Sequence, residues 1–196
     1  MTGATRLFLV RHGETEWSAS GRHTGWTDIP LNENGVEQAE RLGERLAGYT
    51  FASVVTSPLS RAFETCRIGG LADVAVIDPD LREWNYGEFE GRTTDEIRTE
   101  IPGWTIWSAR IERGESVADV GRRTDRVLGR VLAVDGDVAI FGHGHALRIL
   151  AARWVELEPA AGALFELSTA TISRLGWERE HRVIELWNGA AHLGIV

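Results

Sequence analysis

Apolar residues along the chain follow two rhythms, and their alternation sets the expected architecture. Short apolar runs stand at residues 5–10 (TRLFLV), 52–56 (ASVVT), 73–77 (DVAVI) and 137–142 (DVAIFG). Runs of this length, bounded by polar or turn-forming residues, read as strands, those at 5–10 and 137–142 as buried ones. Between them the spacing becomes helical. Asn32 is placed to open a helix carrying Val36, Ala39, Gly43 and Leu46 on one face, with Glu37, Glu40, Arg41, Glu44 and Arg45 largely outside it. Residues 59–68 read as a second helix after Ser57-Pro58. Val117, Val120, Val127, Leu128 and Val131 stand at helical spacing in a clearly amphipathic segment. A mostly apolar helix over 146–156 follows the last of the four runs, and two late strands are expected near 165–175 and 182–187. Residues 81–115 are irregular and rich in Trp, Gly and Glu, with a short helix expected near 93–100.

Strands alternating with helices predict an α/β fold, here a three-layer sandwich with a mostly parallel central sheet flanked by helices. In such sheets ligands sit at the carboxyl ends of strands. Arg11-His12-Gly13 and Gly142-His143-Gly144 both fall at expected strand ends, and Arg61 lies on the first turn of its helix. Glycine lets the backbone turn tightly after His12, and a helix N-terminus attracts anions. Guanidiniums and imidazoles gathered in this way suit an oxyanion, phosphate above all.

Composition narrows the reading. The chain has 196 residues without a visible repeat or linker, so a single domain over 1–196 is expected, with 81–115 as an insertion that covers the substrate. Its formal net charge is −8, from 21 Lys and Arg against 29 Asp and Glu, which argues against a diffuse nucleic-acid footprint. There is no lysine at all, so any anion site must be assembled from locally gathered arginines. The lone Cys66 rules out an intrachain disulfide, fits a reducing compartment and reads as an inert buried thiol. The run Leu7–Val10 is too short for a signal-peptide core, and no stretch approaches the ~20 apolar residues of a membrane span. A cytoplasmic protein with neither a membrane nor a nucleic acid as partner is therefore expected.

The motifs go further. Leu9-Val10-Arg11-His12-Gly13-Glu14-Thr15 resembles the signature of the histidine phosphatase superfamily, which includes cofactor-dependent phosphoglycerate mutases. The resemblance continues through Gly21-Arg22-His23-Thr24-Gly25-Trp26-Thr27-Asp28, Leu31 with Gly35 and Gln38, and Ser57-Pro58-Leu59-Ser60-Arg61-Ala62 with Thr65. It extends to Leu81-Arg82-Glu83-Trp84, Tyr86-Gly87, Glu90-Gly91, Gly114-Glu115-Ser116 and Gly142-His143-Gly144, all in the family's order. It implies that His12 attacks phosphorus, that Arg11, Arg61 and His143 hold the phosphoryl oxygens, and that Glu83 is first general acid, then general base. It also implies substrate contacts at Thr24, Gly25, Gly144 and His145, beside Trp84 and Tyr86. No metal and no cofactor is implied. Attack requires a neutral His12 whose other nitrogen donates a hydrogen bond, for which the carbonyl of Gly13 is the candidate acceptor. Glu83 must hold a proton when substrate arrives.

Within that resemblance the chain looks like the phosphatase branch, because the path from Gly91 to Gly114 is short and the lysine of the mutases is missing. The run Gly142-His143-Gly144-His145-Ala146-Leu147-Arg148, with Trp104 and Trp107, is similar to the fungal sedoheptulose bisphosphatase and to actinobacterial acid phosphatases. The expected activity is hydrolysis of a small phosphorylated sugar through a phosphohistidine. A phosphoglycerate mutase is the alternative, and a non-catalytic phosphate-binding module the remote one. His143-x-His145 also resembles a metal-ligand pair, but no second such pair exists; His145 reads equally as a cap of the following helix. Arg122-Arg123 reads as a solvated helix face, and Trp17, Trp154, Trp177 and Trp187 as packing. A homodimer is the candidate assembly.

Overall fold

A computed structural model of the protein describes residues 5–194; the two ends of the expected 1–196 domain lie outside the described residues. A six-stranded sheet runs through the molecule in the order β3-β2-β4-β1-β5-β6, with β1 (Leu7–Arg11), β2 (Ser53–Thr56), β3 (Ala75–Ile77), β4 (Val138–Gly142), β5 (Ile172–Glu178) and β6 (His181–Gly189). The first four are mutually parallel, while β5 runs antiparallel to β1 and to β6. Alternation along β1 divides its side chains between two cores. Leu7 and Leu9 pack with Val138 and Ile140 beneath α5 (Val117–Val131) and α6 (Gly144–Trp154). Phe8 and Val10 pack with Ala139 and Phe141 beneath α2 (Glu33–Leu46) and α3 (Ser60–Ile68). This is the expected sandwich of helices on both faces of a mostly parallel sheet.

Local chemistry accounts for the element boundaries. Asn32 caps α2 by accepting from the N–H of Gly35, and Ser116 caps α5 in a reciprocal box with Asp119. Thr15 caps a single turn, α1 (Glu16–Ala19), which the apolar spacing did not signal because the turn buries no side chain. The inward stripe of α2 is Gly35, Ala39, Leu42 and Leu46. Val36, expected inside, is instead 37% exposed; it lies one residue, about 100° of turn, away from that stripe. The first late strand is also shifted. It begins only at Ile172, and the irregular stretch before it turns Leu167 into the core.

Residues 81–115 form a small third core rather than a loose loop. Trp84, Tyr86, Phe89, Ile97, Trp104, Ile106 and Ile111 pack against Val120 of α5 and Ile149 of α6. The expected short helix is α4 (Thr94–Glu100), capped by a Thr93–Glu96 box. Cys66 is fully buried, and burial pushes its thiol up to about 12. Trp154 is fully buried, and Trp177 and Trp187 pack against the same core. Among the described residues no helix is long and apolar enough to cross a membrane.

Candidate active site

The sheet brings the sequence motifs together because β2, β4 and β1 are adjacent and end at one level. Arg11 is paired with Gly142 at the last register position of β1 and β4. Beyond it the N–H of His12 donates to the carbonyl of Gly142 (3.0 Å), and the N–H of Ser57 donates to Phe141 (3.0 Å). His12, His143 and Ser57 thus follow three neighbouring parallel strands. The rings of His12 and His143 have centroids 5.2 Å apart.

Hydrogen bonds fix both imidazoles. His12 Nδ1 lies 2.7 Å from the carbonyl oxygen of Gly13, the acceptor expected from the sequence. That bond places the proton on Nδ1 and leaves Nε2 as a bare lone pair. Burial, then the guanidiniums of Arg61 and Arg11, hold the pKa of His12 well below its ordinary value. His143 is shifted the same way, by burial, Arg61 and His12. Its Nε2 lies 2.8 Å from Ser57 Oγ, which itself accepts from the N–H of Leu59 (3.3 Å). The Ser57 hydroxyl is then free to donate to Nε2, leaving Nδ1–H of His143 as a donor.

Arg61 is fully buried and serves the loop before α2 as well as the site. Its Nη1 donates to the carbonyl of Thr27 (3.0 Å), and its Nη2 donates to those of Thr24 (3.2 Å) and Gly25 (2.8 Å). Arg11 is anchored by a bond from Nη1 to the carbonyl of Leu167. Among the described residues, Arg11 Nε, Arg61 Nε and His143 Nδ1 are buried without a hydrogen-bond partner. Unpaired buried polar atoms are costly and rare. Three of them on residues grouped around one imidazole form a donor set suited to a phosphoryl group.

Glu83 reaches the site from the third core. Its carboxylate accepts from the N–H groups of Trp84 (2.8 Å), His145 (3.0 Å) and Ala146 (2.9 Å), so it docks on the N-terminus of α6. Gly144, the first residue of that helix, lies between the acid and Arg11. A Cβ there would stand 3.4 Å from the guanidinium carbon of Arg11 and 3.6 Å from Glu83 Oε2. The acid and Arg11 therefore flank the same bare backbone.

Of the residues anticipated from sequence, Arg11, His12, Thr24, Glu83, Tyr86, Gly144 and His145 line one cavity of about 200 Å³. Arg61 and His143 are fully buried alongside His12. Two expectations need correction. Trp84 is 0% exposed and belongs to the third core, where its Nε1 donates to the carbonyl of Glu115 (2.7 Å); its indole cannot touch a substrate. Gly25 is outside the cavity lining, because its N–H is committed to Glu90 (3.1 Å) and its carbonyl to Arg61. The Thr24 hydroxyl bonds back to the carbonyl of Arg22 (3.2 Å). His145 is not a cap: the N-cap position of α6 is His143, whose side chain makes no capping bond, and Nδ1 of His145 instead lies 2.6 Å from the hydroxyl of Tyr86.

The structure gives places to residues for which the sequence proposed no role. Ser18, Gly21, Arg22, His23, Arg148 and Leu167 complete the cavity wall. Glu90 gathers the N–H groups of Gly25, Trp26, Thr27 and Tyr86 at 2.9–3.3 Å and so shapes the loop facing His12. Only spatial proximity reveals these roles. A larger groove, about 630 Å³, lies between α2 and the β5–β6 hairpin and contains none of the candidate catalytic residues.

Comparison with known proteins agrees with this geometry. The family model described as histidine phosphatase superfamily (branch 1) matches residues 7–190. An acid phosphatase of Mycobacterium tuberculosis is 39% identical over 191 residues, covering 95% of this chain and 94% of the relative. The sedoheptulose 1,7-bisphosphatase of Saccharomyces cerevisiae is 37% identical over 185 residues, covering 78% and 68%. A solved open-reading-frame product from Mycobacterium tuberculosis, 38% identical, superposes with a TM-score of 0.89 over 94% of this chain and 97% of its own. The arrangement of strands, the grouped arginines and imidazoles, and these matches over nearly the whole length lead to one assignment: the chain belongs to branch 1 of the histidine phosphatase superfamily, a family of enzymes, on its phosphatase and phosphoglycerate mutase-like side.

Proposed function

We propose that the protein hydrolyses a small phosphorylated sugar or similar metabolite through a phosphohistidine at His12. The observation that carries this reading is the 2.7 Å bond from His12 Nδ1 to Gly13, on an imidazole whose pKa is held well down, in a cavity shared with Arg11 and Glu83. In the first step Nε2 of His12 forms a bond to phosphorus as the ester P–O bond breaks, and Glu83 gives its proton to the departing oxygen. In the second step Glu83 takes a proton from water, the water oxygen attacks phosphorus, and the N–P bond breaks. Arg11, Arg61 and His143 neutralise and position the phosphoryl oxygens, where most of the catalysis of such transfers lies.

The far wall supports a hydroxylated substrate with a second anionic group. Burial pushes the phenol of Tyr86 well up and the imidazole of His145 well down, so both stay uncharged and share one hydrogen bond between the hydroxyl and Nδ1. Arg148, stacked 4.7 Å over the ring of Trp107, and Arg22 add positive charge at the same end. Residues 81–115 act as the cover of the site by contributing Glu83 and Tyr86.

The test is release of inorganic phosphate from a panel of sugar phosphates, sugar bisphosphates and phosphoglycerates. We expect hydrolysis that His12→Ala abolishes, undiminished by excess chelator, with a base-stable, acid-labile phosphoenzyme trapped by quenching the wild type. Interconversion of phosphoglycerates at a rate comparable to phosphate release would place the chain among mutases. Turnover that survives His12→Ala would end the covalent mechanism.

A further inference from the structure

The paired arginines on α5, which the sequence suggests are solvated, are not alike. Arg122 is largely exposed, whereas Arg123 is only 6% exposed. Its guanidinium is spent entirely on the chain around Glu83. Nη1 donates to the carbonyls of Asp80 (2.7 Å) and Arg82 (2.6 Å), and Nη2 to the carbonyl of Glu83 itself (3.0 Å). The remaining valences meet Glu115 in a two-pronged ion pair, Nε to Oε1 at 2.8 Å and Nη2 to Oε2 at 3.1 Å.

Glu115 extends the grip to the other side of the acid. Its Oε2 accepts from the N–H of Asn85 (2.9 Å), its carbonyl accepts from the indole of Trp84, and its N–H donates to the carbonyl of Asn85 (3.0 Å). One buried cation and one carboxylate therefore hold the main chain at residues 80, 82, 83 and 85. The side chain of Glu83 is fixed separately, on the N-terminus of α6. Both faces of the acid's peptide are thus tied to the two helices that cover one side of the sheet.

We infer that Arg123, braced by Glu115, is a positioning residue for Glu83: it sets the place of the carboxylate relative to the leaving oxygen without touching the substrate. A planar guanidinium is suited to this, since its fork reaches three carbonyls and a carboxylate at once, which an ammonium cannot do. Arg123 is absent from the cavity lining and its guanidinium is committed to internal partners, so phosphate binding does not account for it. Proton transfer depends steeply on the placement of the donor. Loss of the clamp should therefore fall on protonation of the leaving group.

The inference rests on the acid role of Glu83 proposed above, and leaving-group dependence separates the two. p-Nitrophenolate departs without needing a proton, whereas the alkoxide of glycerol phosphate requires one. The quantity to measure is kcat/KM, which stops at phosphoryl transfer to His12. Glu83→Gln should lower kcat/KM for glycerol phosphate by about 10²–10⁴ and for p-nitrophenyl phosphate by much less. Arg123→Met should show the same split, at least about tenfold between the two substrates. If Glu83→Gln lowers both equally, the acid role fails. If Glu83→Gln splits them and Arg123→Met lowers both by one factor, or neither, Arg123 is merely structural and the inference is overturned. Should Arg123→Met not fold, as judged by thermal melting, Glu115→Gln keeps the shape of the brace while removing its charge. The same split is expected there, and an equal loss on both substrates would overturn the inference.

Discussion

Arg61 shows how much one side chain can be asked to do. Its guanidinium binds three main-chain carbonyls of the loop at Thr24, Gly25 and Thr27, and lies near enough to His12 and His143 to add to the burial that holds both imidazoles neutral. A lysine in its place keeps a charge but cannot span that set of acceptors. Arg61→Lys is therefore expected to lower kcat/KM on p-nitrophenyl phosphate by about 10²–10³, the scale of losing an oxyanion donor. Steady-state kinetics checks it; a change of less than about threefold would mean that charge alone matters at this position. The sequence marked Arg61 as a helix-start cation, but only the fold reveals the carbonyls it serves.

Between elements, the catalytic loop and α2 meet backbone to backbone. A Cβ on Gly13 would stand 2.4 Å from the carbonyl oxygen of Gly35, and a Cβ on Gly35 would stand 2.1 Å from that of Glu14. No flexible side chain can yield there, so the helix must move away from the loop that carries His12. Gly35→Ala is expected to destabilise the fold by about 1–3 kcal/mol, the range for overpacking. It should also lower kcat, because Gly13 accepts the bond that fixes the His12 tautomer. Urea unfolding alongside kinetics tests both effects. Unchanged stability would mean that α2 shifts freely.

At the scale of the whole molecule, burial of neutral histidines links folding to pH. His12 and His143 are lowered well below the ordinary value of 6.5 in the folded chain, chiefly by burial. Below pH 6.5 the unfolded chain binds protons there that the folded chain does not, so stability falls as the pH drops from 6.5 toward the folded values. Each histidine contributes up to about 1.4 kcal/mol per pH unit in that window. Unfolding free energy should therefore decrease from pH 7 to pH 5, and His143→Asn should make the slope shallower by about one proton's worth. Activity moves the other way: a His12 that stays neutral in mild acid puts the acid limb of kcat/KM below pH 6.5. Denaturant titrations and pH–rate profiles read the two separately. An acid limb at 6.5 would show that His12 is not shielded.

The sequence by itself determined the alternation of strands and helices, the sandwich class and the family. Strand-end clusters and turn residues are local, and apolar periodicity reports burial directly in β1, β2, β4 and α5, whereas the apolar run of β3 lies at the sheet edge with Val76 and Ile77 exposed. Tertiary structure alone decided which charges are buried and what they hold. Arg122 and Arg123 are neighbours in sequence, yet about 100° of helical turn puts one in solvent and the other beneath the acid. Trp84 sits next to Glu83, yet its ring turns into the third core while the carboxylate turns to the site. A composition can state that an arginine or a tryptophan is present. Its direction depends on partners far along the chain, such as Asp80 for Arg123, 43 residues away, and Glu115 for Trp84, 31 residues away, and these are chosen only when the layers close.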